Sequence, residues 1–207
     1  MGHLFSPTKK YNYMQNPILT LNSQLPGIAQ LFEYAPKLAV YLRGVAQELL
    51  RGESPLSPGT REFIAAAVSY SNGTRFCFLT HGYAAEKLLD REIVGLLEDK
   101  FLNHLGCDHG GEGTPAYRQS LENFLIMIAV SVAGDVGRVS PMAIKVVEEL
   151  GGTERHLHDA IAISSAFSMF NRYVDSFNTT CPPEQVCRQI GEKLALEGYI
   201  PPVTAVV

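Results

Sequence analysis

The chain marks where helices begin and end many times over, and nowhere shows the alternation of a strand. Ser57-Pro58 supplies an N-cap hydroxyl followed by a proline at the first helical position, where its missing N–H costs nothing. Asn72-Gly73 then reads as a stop, so one helix is predicted from Ser57 to about Ser71 and the next from Arg75 to Leu89. Ser140-Pro141 repeats the start signal, Gly151-Gly152 ends that segment, Thr153 caps a long helix through Phe177, and Pro182 opens the last. Earlier, Pro36 begins a helix through Leu50 in which Leu38, Val40, Leu42, Val45 and Leu49 crowd one side. Asp90 to Leu102 reads as helical, as does Pro115 to Ala133, with Leu121, Phe124, Leu125, Ile128 and Val132 on its apolar face. No alternating run is bounded by hairpin turns, so the expected fold class is all-α, a multi-helix bundle. Residues 1–24 read as an extended arm and 25–207 as one domain. The two Ser-Pro units hint at a duplication too faint to count as a repeat.

Composition narrows the function classes. A net charge of −4 gives no electrostatic footprint for nucleic acid, whose binding needs clustered Lys and Arg. The longest apolar run, Phe124 to Ala133, is about half of what a bilayer span requires, so no membrane is expected. The first residues carry their charges after their few apolar side chains, unlike a secretory signal, and a cytoplasmic location is the expectation. Four cysteines are too few for a disulfide scaffold, and Cys107, Cys181 and Cys187 read as free thiols with no assigned role.

Chemistry concentrates between Glu62 and His81. Cys77 and His81 are four residues apart and so share one helical face, while Glu62 lies on the preceding helix. A nucleophilic cysteine must reach its thiolate, and three aids stand close in sequence: His81 one turn on, Arg75 two residues before, and a helix start after Asn72-Gly73. Cys77 is thus a candidate nucleophile, His81 its base, and Glu62 the group that polarises the imidazole. Each has a blander reading: Cys77 as a buried small hydrophobe, His81 as a core histidine with one hydrogen bond, and Glu62 as a first-turn acid favoured by the helix dipole.

Glu62, then eleven residues, Thr74, two residues, Cys77, three residues and His81 resembles the core of the alkylhydroperoxidase D (AhpD-like) branch of the carboxymuconolactone decarboxylase family. In that pattern the position of Thr74 is a cysteine, making Cys-x-x-Cys. Ala166 to Asp175 resembles the closing helix of the family's uncharacterised peroxidase-related members, and the likeness covers roughly Leu25 to Asp175. It implies a peroxidase-related antioxidant enzyme of peroxiredoxin type, with a small-molecule peroxide as substrate, a thiol reductant as partner, no cofactor, no metal and a homo-oligomeric assembly, commonly a trimer or hexamer. The family's first cysteine resolves the sulfenic acid formed on the second, which Thr74 cannot do. Oxidised Cys77 then needs another thiol, from Cys107, a neighbouring subunit or an external reductant. The decarboxylase branch works on lactone acids with an acid and an imidazole, which leaves a lyase using His81 and Glu62 as the alternative, beside a degenerate non-catalytic member.

Other polar residues attract weaker readings. His104 and the loop 105–113, with Cys107, match no defensible zinc spacing. His156 and His158 are two apart on a helix and point to different faces. Asn171, Arg172 and Asp175 read as a helix-packing cluster in which Arg172 and Asp175 pair at i,i+3. Cys181 and Cys187, bracketing Pro182-Pro183, form a weak disulfide candidate.

Overall fold

A computed structural model describes residues 18–99, 120–134 and 139–200. All regular structure among them is helical: α1 (Ile28–Tyr34), α2 (Pro36–Arg51), α3 (Pro58–Asn72), α4 (Arg75–Leu89), α5 (Val94–Glu98), α6 (Leu121–Ala133), α7 (Ala143–Glu149), α8 (Glu154–Ser176) and α9 (Glu184–Glu197).

The α3–α4 hairpin is the centre. Ser57 caps α3 as its sequence predicts, its Oγ accepting from the Thr60 amide at 3.1 Å. Gly73 ends the helix in the left-handed region at φ 80°, where a side chain would be strained. Between these punctuation marks Phe63 to Val68 is buried on every side, because α4 packs on one flank and α6 and α8 on others. Three consecutive alanines, Ala65 to Ala67, keep that helix thin enough to be surrounded. On the far side of α4, α9 comes close: a Cβ at Gly191 would stand 2.4 Å from the Thr80 carbonyl oxygen, so only glycine fits.

Several expectations are corrected. Asp90 turns left-handed at φ 52° and stops α4, so of the helix expected over 90–102 the described residues form only Val94–Glu98, and 100–102 lie outside them. α6 runs from Leu121, capped by Ser120, which accepts from the Asn123 amide at 3.1 Å, and the rest of the expected helix, 115–119, lies outside the described residues. The Ser140-Pro141 signal acts two residues late: Ser140 Oγ accepts from the Met142 amide and α7 begins at Ala143. In α2 the expected apolar side is split: Leu42 and Leu49 pack against the core, and the other three turn outward. Ala39, Ala46 and Leu50 are buried, while Leu38, Val45, Val40 (68% exposed) and Tyr41 (74%) face outward. Small side chains let α2 lie close to its neighbours, and its larger apolar residues are left on the outer side. Arg172 donates to the Ser168 carbonyl at 3.0 Å, and Asp175 accepts from Thr74 across the bundle. The arm is described only from residue 18, and the loop with His104 and Cys107 lies outside the described residues.

No described helix is long and apolar enough to cross a membrane.

Candidate functional site

Glu62 sits mid-helix on α3 with no solvent exposure, and everything polar around it converges on its carboxylate. His81 Nδ1 lies 2.7 Å from Oε2. Tyr199 donates its hydroxyl to Oε1 at 2.6 Å, and Arg51 Nη2 reaches the same oxygen at 2.7 Å. Burial alone would raise the Glu62 carboxyl. The hydrogen bond and charge of His81, the charge of Arg51 and the hydrogen bond from Tyr199 outweigh it and hold the carboxyl below its ordinary value. Tyr199 is pushed well above the usual phenol range by burial and by the Glu62 charge, so it remains a neutral donor.

An ionised carboxylate only accepts, so the proton between Glu62 and His81 belongs on Nδ1. Nε2 is then the basic nitrogen left for a bound molecule. The ring is fixed further by Phe167, edge-on with centroids 4.6 Å apart, and by Tyr199, stacked at 6.0 Å. This is the second-tier support a general base needs: orientation, tautomer and a counter-charge.

His81 forms part of the wall of a cavity of about 360 Å³ together with Cys77, Thr80 and Tyr199, amid apolar side chains such as Phe76, Phe170 and Leu194. Thr80 Oγ1 is buried and has no hydrogen-bond partner among the described residues. Arg43 and Lys193 contribute the positive charge in the lining.

Cys77 shares the cavity with His81 as its i,i+4 spacing requires, but its surroundings contradict the expected thiolate. Burial first, then the Asp175 charge, push the thiol up to about 12, against which a hydrogen bond from Asn171 works only in part. Arg75, expected to help, points away and pairs with Glu184 at 3.1 Å and Glu98 at 3.7 Å. His81 spends Nδ1 on Glu62. The helix start does not outweigh desolvation. Asn171 is itself fixed by donating to Ser69 Oγ at 3.0 Å and accepting from Asn72 at 2.9 Å, which ties α8 to α3 behind the thiol. Thr74 donates to Asp175 at 2.5 Å, so the hydroxyl standing at the family's first cysteine is engaged with the acid that disfavours the thiolate.

Sequence reasoning missed Arg51 and Tyr199. Arg51 reads as an ordinary basic residue in a last helical turn. Tyr199 follows Gly198 after the last helix, far from the motif, and is brought back when its amide donates to Gln47 at 2.8 Å. Nothing in the local sequence of either announces a buried carboxylate. His156 and His158 are structural: the first accepts from the Thr153 amide at 3.1 Å, and the second meets Asp159 at 2.8 Å. Among the described residues no cluster of three or more His, Cys, Asp or Glu could hold a metal ion.

The helical arrangement around the hairpin matches solved structures. A protein of Ralstonia eutropha JMP134, described as an alkylhydroperoxidase AhpD core and an uncharacterized peroxidase-related protein, superposes with a TM-score of 0.65 at 18% identity, covering 81% of this chain and 82% of its own. The fold is the AhpD core fold. An uncharacterized peroxidase-related protein of Silicibacter sp. TM1040 gives a TM-score of 0.64 at 19% identity, with 77% and 78% covered. Neither a protein-family model nor a curated protein matches the sequence. At such identities the likeness establishes the fold, and the chemistry rests on the site.

Proposed function

We propose that this chain is an AhpD-like, thiol-dependent oxidoreductase that reduces a small, largely apolar hydroperoxide, with Cys77 as the attacking sulfur and His81, held by Glu62, as the proton-transfer group. The observation that supports this reading is the placement of Cys77 and an oriented His81 on the wall of one apolar cavity. With its pKa near 12, only about one Cys77 in 10⁵ is ionised at pH 7. Deprotonation therefore belongs to the substrate complex. Nε2 of His81 takes the thiol proton as sulfur attacks the terminal oxygen of the hydroperoxide; the O–O bond breaks, the imidazolium returns a proton to the departing alkoxide, and an alcohol and a Cys77 sulfenic acid remain. The unpartnered Thr80 hydroxyl is suited to hold the peroxide. Glu62, Arg51 and Tyr199 are positioning residues: they fix the tautomer and balance the imidazolium while it exists.

The experiment is hydroperoxide consumption with a dithiol reductant. Made together with Cys181→Ser and Cys187→Ser, so that those two thiols contribute no turnover, Cys77→Ser should reduce consumption to the uncatalysed background, and His81→Gln should lower kcat by about 10²–10⁴. Turnover by Cys77→Ser in that background at the wild-type rate would overturn the reading. The raised pKa of Cys77 favours one rival, a lyase acting on a lactone acid through His81 and Glu62 alone. That rival is supported if a lactone-acid substrate is found that Cys77→Ser converts and His81→Gln does not.

A further inference from the structure

Six residues beyond Asp175, the chain brings two more sulfurs together. Both Cys181 Sγ and Cys187 Sγ lie 3.7 Å from the same oxygen, the Pro182 carbonyl. Sharing that oxygen, the two thiols are near enough for each to shift the other's ionisation. Cys187, in the first turn of α9, is fully buried; Cys181, in the loop before it, is only partly so. Their environments differ as sharply as their exposure. The neighbouring Cys187 thiol and the charge of Arg75 draw Cys181 below its ordinary value, against its partial burial. Cys187 is driven up, first by the Cys181 sulfur and then by burial.

We propose that Cys181 and Cys187 form a redox-active dithiol, with Cys181 as its nucleophile and Cys187 as the partner that closes a disulfide. Pro182-Pro183 stiffens the five residues between them, so little chain entropy is lost when the ring closes. The oxidant is a hydroperoxide. The Cys181 thiolate attacks its terminal oxygen, the O–O bond breaks, and the alkoxide leaves as the alcohol after taking a proton from water. The Cys187 sulfur then attacks the sulfenic sulfur of Cys181; its proton leaves with the displaced hydroxide as water. Two thiols and one hydroperoxide thus become one disulfide, one alcohol and one water. A small external thiol returns the two electrons by exchange at Cys181, the more accessible sulfur. The pair also lies within electrostatic reach of Cys77, beside the helix start where Thr74 leaves no sulfur. Its own oxidation does not depend on Cys77.

The test treats the full chain, and separately Cys77→Ser, with one equivalent of tert-butyl hydroperoxide, then alkylates and maps the tryptic peptides. Tyr173 to Arg188 carries both sulfurs in one peptide. The proposal expects this peptide lighter by two hydrogens and unalkylated in both proteins, restored by dithiothreitol, and in Cys187→Ser replaced by a trappable sulfenic acid on Cys181. Full alkylation of Cys181 and Cys187 after peroxide would overturn it, as would a disulfide of either one with Cys77 or Cys107 in place of the internal pair. Because the readout in Cys77→Ser involves no Cys77 chemistry, it is separable from failure of the peroxidase reading, which is judged by turnover.

Discussion

Two residues one helical turn apart on α4 live in opposite electrostatic surroundings. At His81 the ring is held by a counter-charge: an ionised Glu62 faces Nδ1, and Arg51 and Tyr199 complete the carboxylate's shell. At Cys77 burial and Asp175 both oppose it, and only the Asn171 amide leans the other way. The same cavity thus has one wall where a carboxylate orients an imidazole and one where burial and an acid keep a thiol protonated. Sequence proximity misleads here for a geometric reason. Arg75 is two residues from Cys77, which on a helix is a rotation of about 200°, so its charge falls on the opposite face. There it meets Glu184, Glu98 and the field of Cys181.

The largest expected effect breaks the His81 wall. Glu62→Ala removes the counter-charge of the partly buried Arg51 and the partner of His81 Nδ1, and should cost about 3–5 kcal/mol of stability in urea or guanidinium unfolding at neutral pH. A loss below about 1 kcal/mol would mean that the cluster is not held by its charge. Gly191→Ala comes next. The added Cβ would meet the Thr80 carbonyl, so α9 must move off α4, at about 1–3 kcal/mol by overpacking. Unfolding of that variant within error of wild type would show that the close approach is not required.

The fold was more legible than the site, for identifiable reasons. Ser57, Gly73 and Thr153 act through their own backbone or the next turn, so their signals survive in sequence. The i,i+4 relation of Cys77 and His81 and the capture of His81 by Glu62 followed from two helices joined by a short turn. Arg51 and Tyr199 enter by contacts spanning the chain, and the field at Cys77 is set by Asp175, ninety-eight positions away, which no local pattern encodes. The outward face of α2 is not legible in sequence because alternative apolar stripes coexist there. Packing chose the one with alanines.

The contrast between the two walls has a pH signature with opposite signs. Glu62 has a folded pKa below its unfolded one, so its contribution is present above about pH 4.5 and is lost as pH falls through the lowered value. Cys77 is raised from about 9 to about 12; its contribution is whole below pH 9 and is lost as pH rises towards 12. Urea unfolding across alkaline pH should therefore fall less steeply for Cys77→Ala than for wild type. Parallel curves would remove the buried-thiol account.

A smaller change sharpens the difference at one atom. Asp175→Asn removes the negative charge beside Cys77, and should raise its alkylation rate at fixed pH by about threefold to tenfold through a lowered pKa. Arg75→Gln should leave Cys77 unchanged and slow Cys181 instead. An effect of Arg75→Gln on Cys77 would mean that the guanidinium serves the thiol that the geometry turns it away from.

The most direct test is a site-resolved alkylation profile of the substrate-free protein from neutral to strongly alkaline pH, read by mass mapping of each cysteine. The account predicts that Cys181 is modified first near pH 7, while Cys77 stays protected until the pH approaches about 12. Modification of Cys77 at neutral pH, ahead of Cys181, would contradict it.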